Sequence, residues 1–124
     1  MLLILIARYR NWRRAFALLK EAGYKYVMDW PADDQPFWMK TRAGRILSVP
    51  YPVEINDTPT MLSRAQPATD FHRMILDQFE EMLRLSQQQP LVFGISMHTF
   101  CTGQPFRLAQ VRQALQTLMQ HPGF

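Results

Sequence analysis

His98 stands directly after the apolar run Leu91-Val92-Phe93-Gly94-Ile95-Ser96-Met97 and is one of three histidines in the chain. An imidazole beside a carboxylate can be set to pass a proton near neutral pH, so His98 is the first candidate for acid–base chemistry. Asp29 follows the run Tyr24 to Met28 and is the natural group to orient and charge-stabilise that imidazole. Glu54, Asn56 and Asp57 lie just beyond Ile46-Leu47-Ser48-Val49, and Asp33 and Asp34 follow Asp29 closely. In α/β folds ligands bind where parallel strands end, and the three runs would bring these polar residues to one such edge. Bland roles compete: a loop hydrogen bond for His98, and turn-forming for Asp33-Asp34 and Asn56-Asp57-Thr58-Pro59. Cys101, the single cysteine, shows no sign of thiolate activation and reads as a packing residue. His72 reads as an exposed or capping residue early in a helix, and His121 as a mobile terminal one.

The elements that must position these groups follow from periodicity. Trp12, Ala15, Phe16, Leu19 and Ala22 recur at helical spacing, and Gly23 sits where a left-handed helix stop belongs. Tyr24 to Met28 and Ile46 to Val49 read as strands rich in branched and aromatic residues. Pro50, Pro52, Pro59 and Pro67 make the stretch between them mostly loop. Thr69 can cap a long helix with the apolar face Phe71, Met74, Ile75, Phe79, Met82 and Leu83. Leu91 to Met97 reads as a strand covered on both faces, and Pro105 as the first turn of a last helix. This order predicts an α/β fold of about three parallel strands with covering helices. So few strands leave open edges, which points either to a self-pairing oligomer or to one part of a larger fold.

Absent patterns narrow the chemistry. There is no HxxxH, HExxH or CxxC spacing, so the usual local metal-ligand sets are missing and no metal residue is assigned. No glycine-rich phosphate loop and no GxSxG motif occurs. Length and charge bound the rest. The 124 residues correspond to one modest domain with an ordinary 48% hydrophobic content. Its net charge of +4 suggests an anionic partner, but four of the 14 basic residues, Arg8, Arg10, Arg13 and Arg14, fall in the first 14 residues. From Ala15 onward ten basic residues meet ten acidic ones, so residues 1–14 read as an atypical apolar and basic head on a neutral body, 15–124. No basic surface interleaved with aromatics continues into that body, which argues against nucleic acid as partner. Met1 to Ile6 is apolar and reads as a short buried strand. It is too short to cross a hydrocarbon core of roughly 30 Å, and its positive charge follows rather than precedes it. No membrane partner and a cytoplasmic location are therefore expected, as a lone thiol allows.

Several blocks taken in order resemble the C-terminal half of the polysaccharide deacetylase family, in its allantoinase-like, purine-catabolism branch. They are Ala22-Gly23-Tyr24-Lys25-Tyr26-Val27-Met28-Asp29-Trp30, Asp33-Asp34-Gln35-Pro36-Phe37-Trp38, and Gly44 to Pro52 with Glu54-Ile55-Asn56-Asp57. Gly94-Ile95-Ser96-Met97-His98 and Gly103-Gln104-Pro105 with Arg107 complete the match, which runs from about Phe16 to the end. The resemblance implies the C-terminal portion of a distorted (β/α) barrel that hydrolyses amide C–N bonds, of N-acetylated carbohydrate or of a cyclic ureide such as allantoin. It implies that His98 protonates the departing amine and that Asp29 supports it. Trp30, Asp33, Asp34, Glu54, Asn56 and Asp57 are expected on the substrate side. The family's catalytic aspartate and metal-binding histidines have no counterpart here, so a divalent metal is implied only for the full-length domain. Two readings stay open: an amide-hydrolase part that is inactive alone and needs an N-terminal half, or a non-catalytic α/β interaction module that oligomerises through its sheet edges.

Overall fold

The computed structural model describes residues 12–32 and 34–123. The expected strand at Met1 to Ile6, the head residues Arg8 and Arg10, and Asp33 lie outside the described residues. The chain divides into two compact units, one through Tyr51 and the other from Pro52.

The first unit opens with helix α1, Trp12–Glu21, whose buried Phe16 lies on the expected apolar stripe, with Ala17 buried beside it. Gly23 ends it at φ +89°, with its N–H donating to the Lys20 carbonyl and that of Tyr24 to the Leu19 carbonyl. This pair of bonds closes a helix through a left-handed residue, a conformation that costs an L side chain about 1 kcal/mol. Nothing lies close to where a Cβ of residue 23 would stand, so the cost of Gly23→Ala is backbone strain alone. A loss of about 1 kcal/mol in urea unfolding is expected for that variant.

Strands β1 (Tyr26–Val27), β2 (Phe37–Thr41) and β3 (Gly44–Ser48) form one sheet in the order β1-β3-β2. β1 pairs parallel with β3, but β2 pairs antiparallel with it, so the expected set of parallel strands is corrected to one parallel and one antiparallel pair. The hairpin has a physical origin in a turn of Arg42-Ala43. Thr41 Oγ1 accepts from the Ala43 N–H at 3.1 Å and donates to the Gly44 carbonyl at 2.8 Å, with Gly44 at φ +110°. Phe16, Val27 and Ile46 form the core of this unit, with Trp12, Leu19, Trp30 and Met39 packed around it.

The second unit is helical. A π-helical turn, Thr58–Ser63, interrupts what reads in sequence as plain loop, with Pro59 in its first turn. Helix α2 spans Ala68–Leu85, the short α3 Thr99–Thr102 and α4 Pro105–Gln120. Pro67, not Thr69, is the N-cap of α2; no side chain caps this end, and Pro67 takes the extended conformation that leads the chain in. α4 begins at Pro105 as expected. Phe71 and Ile75 of α2 meet Val111, Ala114 and Leu118 of α4 in a core that also holds Ile55, Met61 and Cys101. Leu91 to Met97 is not a strand: only Ser96 pairs, in a single parallel bridge with Asn56. An apolar run becomes a strand only where a neighbour offers a ladder, and within this unit that neighbour is one residue long. His121 has neighbours on α2, with Nε2 3.3 Å from Glu80 and its ring edge-on to Phe79. His72 Nδ1 lies 3.1 Å from Gln110 Oε1, joining α2 to α4. Among the described residues no helix is long and apolar enough to cross a membrane.

Candidate functional site

The bridge at Asn56 and Ser96 builds the site. The Asp57 N–H donates to the Ser96 carbonyl at 3.1 Å and the Ser96 N–H to the Ile55 carbonyl at 2.9 Å. These bonds bring Asp57, at the mouth of the π-helical turn, against His98, which enters α3 in an extended conformation. The Asp57 carboxylate is fully buried and takes His98 with both oxygens. Oδ2 accepts from the His98 backbone N–H at 2.8 Å, and Oδ1 lies 2.7 Å from Nδ1. Thr58 Oγ1 donates to Oδ1 at 3.2 Å and lies 3.1 Å from Nδ1.

This arrangement fixes the tautomer. An ionised carboxylate only accepts, so Nδ1 carries the proton and Nε2 is the nitrogen left for chemistry. Among the described residues Nε2 has no hydrogen-bond partner, and the His98 side chain remains 30% exposed. Burial pushes the Asp57 carboxyl up, but the His98 backbone N–H, the imidazole and the Thr58 hydroxyl outweigh it. Together they hold the group below its ordinary value. A carboxyl so held adds stability that is whole above its unfolded value near 4 and is lost as pH falls through the lower folded value. The gap in urea-unfolding stability between the natural chain and Asp57→Asn should therefore be widest near neutral pH. It should close as pH falls below about 4.

Cys101 forms the floor of the site. Its thiol is buried, donates to the Asp57 carbonyl at 3.7 Å, and is pushed up by burial and by the Asp57 charge. It is therefore a protonated packing group, not a nucleophile. Arg107 secures the same corner from α4, with Nη1 3.4 Å from the Cys101 carbonyl. Exposed Phe100 stands with its ring centroid 5.4 Å from that of His98, an apolar neighbour of the imidazole.

Of the candidates read from sequence, Asn56, Asp57 and His98 come together here. Asp57 is the carboxylate at His98 Nδ1, because the paired segment 55–57 ends beside Ser96 and His98 follows that serine by two residues. Asn56 is buried at the bridge, with Nδ2 3.4 Å from the Pro52 carbonyl. Glu54 is exposed and contributes its main-chain carbonyl to Thr60 Oγ1. Asp29, Trp30 and Asp34 belong to the first unit: Asp29 is buried, Trp30 packs on Trp12 with centroids 5.3 Å apart, and Asp34 is exposed. Thr58 was missed, although a hydroxyl directly after an aspartate is a recognisable local hydrogen-bonding pattern. Among the described residues no three His, Cys, Asp or Glu side chains gather to hold a metal ion, so these residues do not fit a divalent metal site.

The fold has solved counterparts. The chain superposes on a probable polysaccharide deacetylase from Pseudomonas aeruginosa PAO1 with a TM-score of 0.80 and 25% identity over 92% of its length. It superposes on PuuE allantoinase with a TM-score of 0.81, again at 25% identity over 92% of its length. It spans 38% of each of those two chains. No protein-family profile matches the chain, and no curated protein sequence matches it. The structural matches bear out the family resemblance read from the sequence.

Proposed function

We propose that this chain carries the proton-donating part of an amide hydrolase of the polysaccharide deacetylase kind, acting on an N-acetylated carbohydrate or a cyclic ureide such as allantoin. One observation carries the reading: a buried carboxylate that grips His98 through both its backbone N–H and Nδ1, leaving Nε2 open to the surface. When water has added to an amide carbonyl, the C–N bond breaks only if nitrogen leaves as a neutral amine rather than an anion. Protonated His98 gives its Nε2 proton to that nitrogen. Asp57 holds the ring in place and stabilises the imidazolium before the transfer. Asp29 and Trp30 are carried into the same reaction by resemblance, as are Asp33, Asp34, Glu54 and Asn56 on the substrate side.

Among the described residues no group beside His98 is assigned as the general base or the electrophile that activates water. The reading therefore includes a dependence on a further polypeptide that supplies them. The test incubates the chain with chitooligosaccharide or allantoin, alone and together with the N-terminal portion of the Pseudomonas relative. Release of acetate or ring opening is expected only in the mixture. Equal turnover by a mixture containing His98→Ala would remove His98 from the reaction.

A further inference from the structure

A groove of about 350 Å³ runs between α1 and β2 in the first unit. Its apolar lining is Trp12, Phe16 and Met39, and its charged lining is Arg13, Arg14, Lys40 and Arg42. No carboxylate lines it. Arg42 is tied to Glu21 at 3.0 Å, but Arg13, Arg14 and Lys40 have no acidic partner among the described residues. Residues 1–11 contain two further arginines and no acid. Lys40 is also placed directly across the hairpin from Arg45, a like-charge pairing that weakens a sheet. Arg13 lies over the Trp12 ring at 5.1 Å. In sequence Arg13 and Arg14 belong to a head apart from a neutral body; the fold sets them beside Lys40 and Arg42 of the hairpin.

We propose that this groove binds an aromatic phosphate ester. A phosphate monoester carries a charge of about −1.5 to −2 near neutral pH, which suits several unpaired cations better than a single carboxylate does. Guanidinium forks match its oxygens in pairs, and a ring beside the partly exposed Trp12 indole and Met39 fills the apolar half. The volume lies within the usual range of about 300–1,000 Å³ for small-molecule sites. The same chemistry is offered by a free mononucleotide and by a nucleotide within a single strand. Beyond the groove, Trp38 is 60% exposed with Arg45 over its ring at 5.8 Å, so a strand would find a second stacking place there.

The test titrates the full chain by calorimetry with adenosine monophosphate, adenosine, inorganic phosphate and an adenylate decamer. Saturable binding of the monophosphate is expected, with adenosine and inorganic phosphate each weaker by about tenfold or more. Arg14→Ala and Lys40→Ala should each weaken it by about tenfold, with circular dichroism unchanged. Arg45→Ala, outside the groove, should leave monophosphate affinity intact. Decamer binding that tightens beyond the monophosphate, steepens with salt and weakens in Trp38→Ala identifies a strand as the source; equal affinities identify the free nucleotide. The proposal is overturned if neither nucleotide binds saturably, if inorganic phosphate binds as tightly as the monophosphate, or if both groove variants keep natural affinity.

Discussion

Replacing His98 with alanine is expected to lower amide hydrolysis in the complemented system by about 10²–10⁴, the usual contribution of a positioned general acid. The size of the loss should depend on the leaving group. A sugar amine or a ureide nitrogen is strongly basic as an anion and cannot depart unprotonated, so these substrates should suffer most. An acetanilide with a p-nitro substituent leaves readily without a proton, and its hydrolysis should change little. A loss that is uniform across leaving groups would instead mean that the variant has damaged the site as a whole. Folding should survive, because Asp57 keeps the backbone N–H of residue 98 and the Thr58 hydroxyl as partners.

Asp57→Asn is the second large effect, and it should lower both activity and stability. The carboxylate accepts from two donors on His98, the backbone N–H at 2.8 Å and Nδ1 at 2.7 Å. An asparagine has one acceptor oxygen, so one of those donors must face an amide NH₂. If the backbone N–H keeps the oxygen, the NH₂ donates to Nδ1 and the ring proton moves to Nε2. The imidazolium then has no anion beside it, and the cation that delivers the proton becomes costly to form. A drop of about 10² or more in hydrolysis is expected from the lost acid function, together with a stability loss of about 2 kcal/mol from hydrogen bonds to a charged group. Asp57→Ala should cost more, about 3–5 kcal/mol, because it removes every acceptor from a buried corner. Nitrogen chemical shifts of the His98 ring provide a readout that simple destabilisation would not move. In the natural chain they should report a proton on Nδ1 and in Asp57→Asn a proton on Nε2.

The parts of the fold legible in the sequence are those made by neighbours. α1, α2 and α4 are visible because their hydrogen bonds and apolar stripes repeat within a few residues; the Gly23 stop and the Pro105 start are single-residue signals of the same local kind. β2 escaped although Phe37, Met39 and Thr41 alternate with exposed Trp38 and Lys40, because five residues after an Asp-Asp-Gln-Pro turn segment give little pattern to read. Leu91 to Met97 misled in the opposite direction. Its hydrophobicity reports burial, and it cannot say whether a neighbouring backbone is there to pair with.

The sequence by itself determined the α/β class, the helices, the resemblance borne out by the solved relatives, and His98 as the proton-carrying candidate. Only the tertiary structure decided that Asp57 meets His98, since the two lie 41 residues apart in the chain and come together through the bridge at Ser96. The same is true of the cationic groove, where residues of α1 meet those of a hairpin that only sheet pairing creates. Helices are written in local hydrogen bonds and can be read along the chain. Carboxylate partners, sheet registers and charge clusters are contacts across it, and they exist only once the backbone has closed.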